Sequence, residues 1–253
     1  TKLSILNLLH PFQTFILGQK NIGPKLASKY NIPLVFYGEN EAEYGNPIAD
    51  SLTSLRDKSY YSFKNMDDIY LAGLSIKALK EKYNLENKDF LSFMPPTVDE
   101  IKNKKIDVRY LGYYLKWTPQ EVYYYAVENT GFKARPFRTQ GTFSKYNSID
   151  DKIDDLHYYT TFIKFGIGRA TYDASQEIRN KHITREEGVA LVKRFDGEFP
   201  DRYFNEIMEY LNIDHDFFKI DLTNKFRSPH LWGKNSIGGW ELRHNVYGGG
   251  LDD

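Results

Sequence analysis

The chain has 253 residues, 41% of them apolar and 27% charged, which suits one large folded domain or two modest ones and excludes an intrinsically disordered polypeptide. Lys plus Arg and Asp plus Glu number 34 each, so no charge excess marks a nucleic-acid partner or a polybasic membrane patch. Cysteine is absent, which excludes disulfides, thiolate catalysis and cysteine-based zinc sites. No run approaches the ~20 apolar residues of a membrane helix. The amino terminus has no charged region followed by a cleavage site, so the expectation is a cytoplasmic protein without membrane insertion.

Leu3 to Leu9 reads as the end of a helix stopped by Pro11, so the chain opens in the middle of an element, as a fragment would. Gly23-Pro24 predicts a second helix that starts there and runs to about Tyr30. Pro33-Leu-Val-Phe-Tyr37 is a short apolar run, the pattern of a strand buried on both faces. Residues 46–107 read as an insertion, with a helix expected from about Met66 to Tyr83. Val108 to Trp117 is the second candidate strand, and Thr118, Pro119 and Glu121 announce the next helix as a capping box, with Gly131 as its stop. Two such strands, each joined to a helix, predict a parallel sheet and an α/β class.

From about Gln140 the pattern turns helical. Ser148 and Asp151 open a helix to about Phe165, and another covers Thr171 to Asn180. Thr184 and Glu187 form a capping box for a helix that Gly197 closes, and Pro200 opens one more, to about Leu211. The tail, with Gly238-Gly239 and Gly248-Gly249-Gly250, is predicted as loop. Asp150, Asp151, Asp154 and Asp155 read as charges complementing a helix dipole, and His157, one turn past Asp154, is placed to pair with it. Asp214-His215-Asp216 has no partner at ligand spacing, so no metal site is assigned.

Three stretches carry a family resemblance. The first is His10-Pro-Phe-Gln-Thr-Phe-Ile-Leu-Gly-Gln19, running on to Phe36-Tyr-Gly-Glu-Asn-Glu-Ala-Glu-Tyr-Gly45. The second is Tyr113-Tyr-Leu-Lys-Trp-Thr-Pro-Gln-Glu121. The third is Lys164-Phe-Gly-Ile-Gly-Arg-Ala-Thr-Tyr-Asp-Ala-Ser-Gln-Glu-Ile-Arg179, continuing to Asp196-Gly-Glu-Phe-Pro200. Together they resemble the N-acetyl sugar amidotransferases of the PP-loop (ATP pyrophosphatase) superfamily. The resemblance implies the remnant of a Rossmann-like parallel sheet of the PP-loop ATPase type, adenine nucleotide alpha hydrolase-like, in residues 1–139, followed by a mainly helical, substrate-binding domain in residues 140–253. It also implies a reaction of bacterial surface-glycan or lipopolysaccharide biosynthesis, in which an acetamido group of a sugar becomes acetamidino. ATP with Mg²⁺ would activate the amide, and a partner glutaminase subunit would supply ammonia; the substrate is an acetamido sugar or its sugar nucleotide, and no nucleic acid takes part. The superfamily's Ser-Gly-Gly-x-Asp-Ser phosphate loop is absent from this sequence, as is a Walker A loop, which leaves a non-catalytic sugar-nucleotide binding or docking subunit as the alternative. A PP-loop RNA-modifying enzyme fits less well, for want of a basic surface and cysteines.

The candidate residues follow from strand ends and from that resemblance. Ligands of open α/β sheets bind outside the carboxyl ends of the strands, which singles out the turn after Tyr37. There Gly38 and Glu39 are candidates for nucleotide or phosphate binding, with Gln19 and Lys20 from the preceding helix, and Asn40 and Glu43 are the candidate catalytic pair. In the helical part, Lys164 and Arg169 flank Gly166-Ile-Gly168 and suit a phosphate or carboxylate. Asp196 and Glu198 of the Asp-Gly-Glu-Phe-Pro turn are candidates for sugar hydroxyls. His10, a lone histidine at a helix end, reads as a packing or capping residue.

Overall fold

The computed structural model describes residues 1–38 and 52–252. In chain order the helices are α1 (Lys2–Leu8), α2 (Gln13–Tyr30), α3 (Ile76–Tyr83), α4 (Asn87–Phe90), α5 (Val98–Asn103), α6 (Pro119–Thr130), α7 (Asp154–Phe165), α8 (Arg169–Arg179), α9 (Arg185–Phe195), α10 (Asp201–Leu211) and α11 (Thr223–Phe226). The strands are β1 (Leu34–Tyr37), β2 (Tyr70–Leu71), β3 (Leu74–Ser75), β4 (Asp107–Tyr110), β5 (Trp232–Lys234) and β6 (Trp240–Leu242). The class is α/β, with one small parallel and two small antiparallel sheets among the described residues. Two compact units form: Gln13–Tyr124, and Thr1–Phe12 together with Tyr125–Asp253.

In the unit Gln13–Tyr124, β1 and β4 pair in parallel, Leu34 opposite Asp107 and Tyr37 opposite Tyr110. The outer edge of β4 is held by an extended stretch, where Arg56 N–H donates to Val108 O (2.8 Å) and Tyr110 N–H to Ser54 O (2.9 Å). Ala27 of α2, Ile101 of α5, Tyr61, Ile106 and Val108 form the core beneath the strands.

Pro24 does not start a helix. It lies inside α2, which runs unbroken for 18 residues. A proline there removes the N–H that Lys20 O would accept. The Tyr37 hydroxyl replaces it, donating to Lys20 O at 2.6 Å, with Gln19 O at 3.3 Å. Gly23 lets that contact close, since a Cβ there would stand 3.2 Å from Val35 Cγ1 and 3.4 Å from the Tyr37 hydroxyl oxygen.

Three more expectations are corrected in this unit. The helix expected over Met66–Tyr83 is a short turn, the β2–β3 hairpin and then α3. Ala72 and Gly73 take φ of 51° and 78°, the left-handed pair that a tight hairpin demands, and the Gln13 side chain accepts from Ala72 N–H at 2.9 Å. The second strand stops at Tyr110, where the chain turns into a short 3-10 helix, Leu111–Tyr113. Finally, the Thr118 hydroxyl is buried without a hydrogen-bond partner, so it does not close a capping box with α6.

In the other unit, α7, α10 and the π-helical turn Phe217–Leu222 enclose a core of Leu156, Ile163, Phe204, Met208 and Phe218. Helix α1 joins that core through Ile5 and Leu9, both essentially inaccessible. Helix α9 opens with the expected box, Thr184 accepting from Glu187 N–H and Glu187 from Thr184 N–H. Helix α7 begins at Asp154 rather than Ser148. The tail is not all loop. β5 and β6 pair antiparallel, with Asn235 accepting from Gly239 N–H (2.8 Å) across a turn that Gly238 enters at φ 80°. Trp232 Nε1 donates to Ile163 O (2.9 Å) and anchors the hairpin to α7.

Candidate functional site

The residues singled out from the sequence fall in both units. In Gln13–Tyr124, Gly38 follows the carboxyl end of β1, as expected. Gln19 and Lys20 lie one turn ahead of Pro24 on α2, and their carbonyls meet the Tyr37 hydroxyl. Thus α2 and β1 are stitched together directly beside Gly38. Glu39, Asn40 and Glu43 lie outside the described residues.

In the other unit the structure separates the four candidates by task. Asp196 is drawn into the architecture: its carboxylate accepts from Gly168 N–H (2.9 Å), Thr171 N–H (3.2 Å) and the Thr171 hydroxyl (2.5 Å). It therefore caps the amino end of α8 from the turn after α9, the place where a carboxylate best meets orphan N–H groups. Burial pushes its pKa up, against those hydrogen bonds. Gly168 is required at this contact, because a Cβ there would come within 2.7 Å of Asp196 Oδ1. Glu198 makes a two-pronged pair with Arg138, 2.6 Å on each arm, and accepts from Gly141 N–H at 2.8 Å. Burial alone would raise the Glu198 carboxyl, but the Arg138 and Gly141 donors hold it low.

Arg169 and Lys164 differ from that pair and from each other. Arg169 Nε donates to Asp173 (2.7 Å) and Nη1 to the Tyr158 hydroxyl (3.2 Å), with the guanidinium 5.1 Å from the Tyr158 ring centroid. Asp173 in turn accepts from the Thr142 hydroxyl (2.5 Å) and Asn147 Nδ2 (3.0 Å), so Arg169 is fixed in a buried polar network. Lys164, in the last turn of α7, has no carboxylate paired with it among the described residues. Partial burial pulls its pKa down.

The residue-by-residue reading missed what lies beside Lys164. His10 and His157 stack face to face, ring centroids 4.7 Å apart and planes within 6°, and Phe12 stacks on His157 from 5.6 Å. The Nδ1 atoms of both imidazoles are buried without hydrogen-bond partners. Burial first, then the neighbouring Lys164 charge, lowers His10 to about 4. Burial, His10, Arg169 and Lys164 together lower His157 to about 3. Both rings are thus neutral at physiological pH. His157 does not pair with Asp154; that carboxyl is itself buried and raised to about 6. The helical position of His157 was legible, but its stacking on a histidine far earlier in the chain had no local signal. Asp155, read as a charge complementing the helix dipole, is buried between Arg135 and Arg202, each at 3.7 Å.

This unit therefore carries a cation without a counter-ion among the described residues, two neutral imidazoles and a fixed guanidinium. Such a set favours an anionic group over a cationic one.

Residues 140–247 match the family model described as LPS biosynthesis protein WbpG-like, C-terminal domain. The matched segment contains Lys164, Arg169, Asp196 and Glu198, and it supports a bacterial polysaccharide-biosynthesis family. No curated protein matches the chain significantly. No helix among the described residues is long and apolar enough to cross a membrane.

Proposed function

We propose that the chain is the nucleotide-sheet remnant and sugar-binding part of an ATP-dependent amidotransferase of lipopolysaccharide or surface-glycan biosynthesis. The observation that carries this reading is the match of residues 140–247 to a lipopolysaccharide-biosynthesis family over the segment that holds Lys164. The parallel β1–β4 pair, with Gly38 just past the carboxyl end of β1, is compatible with a nucleotide-binding sheet of Rossmann-like, PP-loop type.

In the proposed reaction the acetamido oxygen attacks the α-phosphorus of ATP with release of pyrophosphate. Ammonia from a glutaminase partner then adds at the amide carbon as AMP leaves, giving the acetamidino group. Among the described residues no group of three histidines or carboxylates converges on a possible Mg²⁺ site. Lys164 would hold a carboxylate or phosphate of the sugar, with Arg169 behind it. Asp196 and Glu198 would shape the site through the turn they brace rather than by touching the sugar.

The second reading is a subunit that binds the sugar nucleotide without turning it over. Pyrophosphate release separates the two. The complete protein that contains this chain, supplied with ATP, ammonium and a panel of acidic acetamido sugars, releases pyrophosphate in a sugar-dependent manner if it is the enzyme. Saturable sugar-nucleotide binding with no release at any sugar concentration establishes the binding subunit instead.

A further inference from the structure

The unit Gln13–Tyr124 contains a buried charge with no assigned role. Arg56 is 4% exposed. No carboxylate is paired with it among the described residues, and its Nε has no hydrogen-bond partner. A guanidinium cannot shed its proton on burial, so it stays charged and needs compensation. Part comes from aromatic rings: its Cζ stands 5.5 Å from the centroids of Tyr37 and Tyr60 and 5.9 Å from that of Tyr110. Such contacts act through ring faces, and they supply no acceptor for the in-plane N–H donors of the fork.

Arg56 lines a cavity of about 470 Å³ together with Thr53, Lys58, Tyr60 and Tyr110. Tyr37 and Tyr110 are the paired last residues of the two parallel strands, so the cavity adjoins their carboxyl ends. Lys58 adds a second cation on its wall, exposed and without an ion-pair partner among the described residues. The one acid on the wall, Asp57, is occupied by its own turn: it accepts from Ser59 N–H (2.8 Å) and the Ser59 hydroxyl (2.5 Å). Two cations without counter-ions among the described residues, one of them buried and held by a tyrosine cage, make this a site built for a negative ligand.

We propose that this cavity is an oxyanion site, in which Arg56 grips two oxygens of a phosphate or carboxylate group and Lys58 adds charge from the rim. The main-chain bond to Val108 and the tyrosine cage fix the guanidinium beforehand, so the ligand need not order it. The cavity adjoins the strand ends that Gly38 follows, but the two cations that define it, Arg56 and Lys58, have no part in the amidotransferase reading.

Calorimetric titration of the full chain at constant ionic strength tests it, with inorganic phosphate, pyrophosphate and glucuronate as separate probes. A saturable heat with one of them is expected, weakened about tenfold or more in Arg56→Gln and about threefold in Lys58→Ala. A preference for phosphate or pyrophosphate identifies a phosphorylated ligand, and a preference for glucuronate an acidic sugar. Because Arg56 packs against three rings, circular dichroism must first establish that Arg56→Gln folds. If it does not, the surface variant Lys58→Ala decides, since a binding curve identical to wild type overturns the site. Absence of saturable binding by all three probes overturns it as well.

Discussion

At the scale of single residues, the four candidates of the helical part separate by whether the fold already uses them. Asp196 and Glu198 have their acceptor capacity spent on N–H groups and Arg138, so substituting them tests the scaffold. Arg169 is also spent, largely on the buried Asp173. Lys164 is the one whose charge answers no carboxylate among the described residues while burial disfavours it. Lys164→Met is therefore expected to lower turnover, or sugar affinity, about tenfold or more while leaving stability within about 0.5 kcal/mol. Arg169→Ala, by contrast, strands Asp173 and is expected to cost about 2 kcal/mol of stability. Urea denaturation alongside the pyrophosphate assay checks both. A Lys164→Met protein with unchanged kinetics and binding removes Lys164 from the site.

At the scale of elements, what was legible was whatever local chemistry decides. The position of β1, the Thr184–Glu187 box and the approximate placement of α7 to α10 come from patterns within a few residues of each other, but β1 is not buried on both faces as expected: among the described residues Leu34 and Phe36 stay exposed. What was not legible depended on partners far away. Pro24 looked like a helix start because the hydroxyl that repairs the helix around it belongs to Tyr37. The β2–β3 hairpin was read as helix because nothing local reveals that Gln13 caps its turn. The candidate site followed the same rule: Lys164 and Arg169 were visible as flanks of a Gly-x-Gly, whereas the His10–His157 stack and the Arg56 cage exist only in three dimensions. The Pro24–Tyr37 repair makes a direct prediction. Tyr37→Phe removes the hydroxyl that donates to the Lys20 carbonyl and is expected to cost about 1–2 kcal/mol. In a Pro24→Ala background an ordinary helical N–H reaches that carbonyl, so the same substitution should cost about 1 kcal/mol less. A double-mutant cycle by denaturant unfolding measures the difference. Equal costs in the two backgrounds would mean that the hydroxyl does not substitute for the missing donor.

At the scale of the whole molecule, a balanced net charge conceals strongly displaced groups. His10 and His157 titrate near 4 and 3 in the folded chain, against about 6.5 when unfolded. A depressed folded pKa gives stability that is fully present above 6.5 and is lost as pH falls toward 4 and 3, because the unfolded state takes up the proton first. Asp154 has the opposite sign: raised to about 6, it favours the fold at low pH and loses that contribution as pH rises through 6. The two effects overlap between pH 6 and 4, so the wild-type profile alone conceals both. Comparison with His157→Gln separates them. The variant loses packing against His10 and Phe12 at every pH, but it no longer carries the cost of an imidazole kept neutral in acid. Relative to wild type it should therefore gain about 2–3 kcal/mol between pH 7 and 4.5, from about 1.4 kcal/mol per pH unit below 6.5. Unfolding free energies of the two proteins across that range provide the measurement. A stability gap that stays constant with pH would mean that His157 takes up its proton as readily in the folded chain as in the unfolded one, and so is not held neutral beside Lys164.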